Sequence, residues 1–249
     1  MTAATISTAA PSALSLAELP VMMPHWRNWA ALPRRELKDC WRAACALVRA
    51  MQELAQQETQ AVQALIGERE FVEWQHYPDA DVRDEVNASQ YFYHAHSSAL
   101  RPFEEHGHFH LYILPQQAGI KRARPGRNIS PAHLLAISMD AQGQPAGLFC
   151  VNRWVSKGPW LNFQQSVRGL DAFQVKGRRG VRQVNQLLRA LLSLYRPAIH
   201  SLLQQRDAVM QELSQTRPRR EIYLDRELEV LCYLPLDLAA DIEALENLL

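Results

Sequence analysis

The sequence predicts an α+β protein: an antiparallel sheet of hairpins packed against a long N-terminal helix and C-terminal helices. Three observations carry this. Apolar residues recur every three or four positions ahead of Gly67, aromatic-rich runs punctuated by Gly and Pro fill the stretch from about 90 to 155, and helical spacing returns after Val181. Strands grouped between helices favour segregated layers over an alternating barrel.

The helix before the sheet opens at Pro33, with Leu37, Trp41, Ala44, Val48, Met51 and Ala55 on one line and Val62, Leu65 and Ile66 continuing it to Gly67. Beyond Gly67, Phe71–Trp74 reads as a short strand, and His76-Tyr77-Pro78 leads into an acidic loop holding Asp79, Asp81 and Asp84. Tyr91–His96 and Gly107–Leu114 are aromatic-rich, as strands tend to be. Residues 115–131 mix Pro, Gly and basic side chains and read as an exposed excursion. Leu134–Met139 and Leu148–Val155 flank a polar, Gly-bearing turn, which is a hairpin signature. Val181–Tyr195 and the stretch from Pro197 to Leu213 are helical, with Pro197 suited to a first turn. The apolar run Ile222–Leu234 fits either a strand or a helix, and Asp237 is placed to cap a last short helix.

The first twenty residues are rich in Ala, Ser and Thr and lack the basic and apolar regions of a secretory signal. We expect a flexible tail over 1–20 and a single α+β domain over 21–249. With 249 residues, 47% of them hydrophobic and 21% charged, the chain can bury a sizeable core. A net charge of +1 gives no global field for nucleic acid or an anionic membrane. No stretch approaches the roughly 20 apolar residues of a membrane span. The four cysteines form no Cys-x-x-Cys pair, which suits reduced, structural thiols and a cytoplasmic location. The basic runs at 121–127 and 176–182 have no interleaved aromatic residues, so nucleic acid is not an expected partner.

Five of the nine histidines fall between 94 and 110. Alternate residues of a strand share a face, so His94 and His96 point one way together, as do His108 and His110, with His106 at the edge of the second strand. Two paired strands would bring these imidazoles to one patch. Clustered neutral nitrogen donors suit a transition metal, Zn or Fe foremost. The expected metal ligands are therefore His94, His96, His106, His108 and His110. Glu105 is the expected general base or carboxylate ligand, and His76 a further ligand or supporting partner. Such a site fits a metal-dependent hydrolase or oxygenase acting on a small-molecule substrate. A non-catalytic metal sensor, or a metal-free domain binding an anion through imidazoles and arginines, are the alternatives.

The combination His76-Tyr77-Pro78, Tyr91-Phe92-Tyr93-His94-Ala95-His96 and Glu105-His106-Gly107-His108-Phe109-His110 resembles an uncharacterised bacterial family of unknown function. Ala136–Asp140 and Val151–Trp154 fit it as well, so the resemblance runs from about 70 to 240. It implies no activity. Tyr93–Ser97 is also similar in wording to the early His-x-His of metal-dependent phosphoesterases and amidohydrolases, but their barrel needs strands alternating with helices, which this chain lacks.

Overall fold

A computed structural model describes residues 28–97, 103–120, 130–176 and 180–249. The expected tail over 1–20, the basic segment at 121–127 and the middle of 176–182 lie outside them.

The first long helix, α1, covers Arg34–Ala55 and buries Leu37, Cys40, Ala44, Leu47 and Leu54. The buried line is displaced by one position from the expected one, leaving Trp41, Val48 and Met51 as half-buried flanks. A core-facing stripe on a helix is wide enough to include both lines. The helix does not run on to Gly67. The chain turns through Glu58, whose φ is 53°, and α2 covers only Ala61–Ile66. Gln56, Gln57, Glu58 and Thr59 supply no apolar side chain to hold a helical turn against the core. Gly67, at φ 68°, then ends α2 in a conformation that favours glycine.

Six strands follow: β1 (Tyr77–Asp84), β2 (Ser89–His94), β3 (Gly107–Ile113), β4 (Ala132–Met139), β5 (Pro145–Val151) and β6 (Val230–Pro235). They lie side by side in chain order, and every neighbouring pair is antiparallel. β1 occupies the expected acidic loop. Its alternation was hidden because it is an edge strand with exposed carboxylates and a bulge between Tyr77 and Val82. Phe71–Trp74, expected as a strand, is not one; Trp74 sits at φ 69° and donates its backbone N–H to Ala95 O at 2.8 Å.

A helical insert separates β5 from β6: α3 (Arg153–Ser156), α4 (Phe163–Ala172), α5 (Arg182–Leu194), α6 (Arg196–Leu213) and α7 (Arg219–Leu224). The strand expected to reach Val155 stops at Val151, because Asn152 caps α3 and its Nδ2 donates to Ile222 O at 2.7 Å. The ambiguous run from Ile222 is both things, the end of α7 and then β6. The last helix, α8 (Leu238–Glu246), is capped by Asp237, which accepts from Ala240 N.

The two faces of the sheet have different jobs. Tyr91, Tyr93, Phe109, Leu111, Ile137, Leu148, Cys232 and Leu234 face the main core with α1, α5 and α6. Tyr91 donates its hydroxyl to Asn185 Oδ1 on α5 at 2.6 Å. All four cysteines are free thiols, and Cys40, Cys150 and Cys232 are buried. The opposite face carries the histidines above a smaller apolar cluster of Phe103, Ala136, Phe149, Val151, Val230 and Tyr233. No helix among the described residues is long and apolar enough to cross a membrane.

Candidate metal centre

The register of β2, β3 and β4 builds the site. His94 pairs with His108 and Phe92 with His110 across β2 and β3. On the next strand His108 meets Ser138 and His110 meets Ala136, so small residues leave room beside both rings. Gly107 starts β3 because nothing larger fits: a Cβ there would lie 2.5 Å from His94 O and 2.5 Å from Tyr93 Oη.

Ring nitrogens of His94, His108 and His110 all lie within 4.8 Å of one another. The Nε2 atoms of His94 and His108 are 2.9 Å apart. A cation about 2.1 Å from each of three nitrogens holds them roughly 3 to 3.5 Å from one another, so the donor set fits a transition ion with small adjustments. His108 and His110 are buried, and His94 is half-buried.

Two neighbours fix the ring orientations. Glu105 Oε1 accepts from His108 Nδ1 at 2.6 Å, and the Glu105 side chain has no exposed surface. With its Nδ1 proton held there, a neutral His108 presents the lone pair of Nε2 to the cluster. His110 Nδ1 lies 2.9 Å from His133 Nε2, which leaves His110 Nε2 as its second nitrogen. Burial, with the neighbouring imidazoles of His108, His96 and His76 adding to it, lowers the His94 pKa to about 2. Burial likewise holds His110 well below the usual histidine range. His133 falls to about 3, through burial and then the Arg206 cation. Neutral rings are the ligating form.

The other expected residues are distributed as follows. His96 is buried in the same imidazole group, with its ring 4.9 Å from that of His94 and 5.1 Å from that of His108. It stacks on Trp74 at 4.2 Å, and its Nδ1 is 4.0 Å from Glu229 Oε1. His106 is not brought to the cluster. Its Nδ1 bonds Tyr93 Oη at 2.6 Å, and its ring packs on Phe71, on the core side of the sheet. Glu105 is brought in against His108, whereas Glu104 is exposed.

Two residues escape a sequence reading. His133 looks isolated in the chain and reaches the site only because β4 pairs with β3. Glu229 precedes β6, far along the chain, and burial raises its carboxyl pKa against the pull of His108. Asn152, Arg153 and Trp154 are structural: the last two donate to Gly158 O and Leu228 O.

Fold and site together define an α+β protein whose antiparallel sheet holds a buried cluster of histidines on the face turned away from its main core. The chain belongs to a family described as a domain of unknown function (DUF6969), which matches residues 41–236. This agrees with the resemblance to an uncharacterised family. No curated protein and no solved structure matches the chain.

Proposed function

We propose that the protein binds a divalent transition metal, Zn or Fe, through His94, His108 and His110, and that it is a metal-dependent enzyme of the hydrolase or oxygenase type. The observation that carries this reading is three mutually close imidazole nitrogens, one of whose rings is set by a buried carboxylate. Three protein ligands leave a position open, as catalytic sites do and closed structural sites do not. A metal held there supplies Lewis acidity toward a ligand at that position.

In this reading Glu105 is a positioning residue. It holds the His108 proton at Nδ1 and so keeps Nε2 available, a role that carboxylates commonly take toward ligating histidines. His133 does the same for His110. The depressed pKa values of His94 and His110 favour coordination over anion binding, since neutral rings offer an anion no charge. A closed sensor site is the second reading, favoured by His96 and Glu229, which stand beside the three ligands and could complete the shell.

The test is elemental analysis of the untagged full chain, as purified and after loading with Zn or Fe(II). About one metal per chain is expected. His108→Ala should lose it, while His200→Ala, remote from the cluster, should keep it. A wild-type chain that takes up neither metal, or stoichiometric metal persisting in His108→Ala, overturns the assignment.

A further inference from the structure

The segment leading into β1 places a second pair of polar side chains beside the histidine cluster. His76 Nδ1 lies 3.0 Å from Asp81 Oδ1. Asp81 is held on its other oxygen, where Gln90 Nε2 donates to Oδ2 at 2.7 Å, and Arg83 stands 3.9 Å off. The His76 ring is clamped flat on Phe92, with centroids 3.6 Å apart and planes within 9°. It meets the His94 ring edge-on at 5.6 Å. Its side chain is 41% exposed, so it stands at the outer side of the cluster.

The backbone is shaped to hold this pair. Asp81 has φ 47° and lies in the β1 bulge between Tyr77 and Val82. Left-handed backbone in a residue other than glycine costs free energy, and bulges beside functional sites commonly re-aim a side chain. Here the re-aimed group is a carboxylate, and what it meets is an imidazole touching a candidate ligand.

We propose that Asp81 fixes the tautomer of His76, and that His76 Nε2 accepts a hydrogen bond from a protic oxygen donor bound at the open side of the histidine centre. The assignment rests on the metal reading above. A neutral imidazole that donates Nδ1–H to Asp81 carries its lone pair at Nε2. Such an atom recognises a ligand bearing O–H, such as water, an alcohol or a hydroxamic acid, over an aprotic anion. The substrate class is therefore hydroxyl-bearing or hydrated, and Asp81 acts through His76.

The test uses the Co(II)-loaded full chain, titrated with acetohydroxamate and, separately, with azide, and read in the visible absorption of the metal. His76→Phe keeps the stack on Phe92 and removes the acceptor. Asp81→Asn keeps the size and tolerates the left-handed backbone. With its oxygen still taken by Gln90, the new amide turns its N–H₂ toward His76 and inverts the tautomer. Both variants should keep stoichiometric metal and lose about tenfold in acetohydroxamate affinity, the value of one hydrogen bond, while azide affinity in His76→Phe stays within twofold. Nitrogen NMR of the full chain at pH 7.5 should show the His76 proton on Nδ1, and on Nε2 in Asp81→Asn.

Unchanged acetohydroxamate affinity in His76→Phe, or a doubly protonated His76 ring, overturns the proposal and leaves the metal reading standing. Loss of metal in His76→Phe makes His76 a ligand and also overturns it. A wild-type chain that takes up no metal brings down both readings together.

Discussion

Single side chains at the sheet edge show how polar groups are placed with as much care as apolar ones. Asp84, at the end of β1, accepts from the backbone N–H of Asn87 and Lys176 at 2.9 and 2.8 Å, and from Asn87 Nδ2 at 2.7 Å. Burial opposes its charge, but these donors outweigh burial and hold the carboxyl below its ordinary pKa of 3.8. A depressed folded pKa contributes stability that is complete above the unfolded value and lost as pH falls through the folded one. Asp84→Asn should therefore cost about 1 to 3 kcal/mol at pH 6, measured by urea unfolding, and the gap to wild type should narrow below about pH 4. A gap independent of pH would show that the charge is not what Asp84 contributes. At this scale the sequence is informative where a strand is regular. His94, His108 and His110 share a face because alternation holds through paired residues. His106 breaks the pattern because it lies just outside the ladder, where its N–H bonds Met139 O and its ring is free to turn toward Tyr93. His133 and Glu229 carry no local signal, since only strand pairing brings them near.

Among the elements, β2 and β3 form the unit that decides whether the cluster exists. Gly107 is where they come closest, and an added methyl would meet His94 O, Tyr93 Oη and the Ala95 Cβ at 2.5, 2.5 and 2.8 Å. The first of these is backbone and cannot swing aside. Gly107→Ala should destabilise the protein by about 1 to 3 kcal/mol and reduce bound metal by parting the pair His94 and His108. Retention of full metal occupancy by a folded Gly107→Ala chain would refute the close-approach argument. The same pair explains what was readable in advance. β2, β3, β4 and β5 announce themselves by aromatic or β-branched runs and a Gly-bearing turn. β1 does not, because an edge strand faces solvent and its bulge destroys the period of two. The break between α1 and α2 was likewise hidden, because good helix formers fill it and only the lack of a buried side chain ends the helix.

For the molecule as a whole, a metal that binds only the native state adds to its stability by mass action. Saturation at a hundred times the dissociation constant contributes about 2.7 kcal/mol. For a chain of this size that raises the melting temperature by about 5 to 10 °C. Calorimetry with Zn against a chelator should show the rise in wild type and none in His108→Ala; an equal rise in both would place the stabilising metal elsewhere.

The long helical insert between β5 and β6 has a bearing on biosynthesis. His94, His108, His110, His133 and Glu105 all precede the insert, and each of the first five strands pairs with its neighbour in the chain. Local pairings of this kind close short loops and form early, whereas β6 waits for everything up to Glu229 to emerge. A nascent chain thus holds every nitrogen of the cluster and its supporting carboxylate before α5 and α6 arrive to cover the apolar side of the sheet. For that interval the β5 border is bare, and it is there that a chaperone has most to protect.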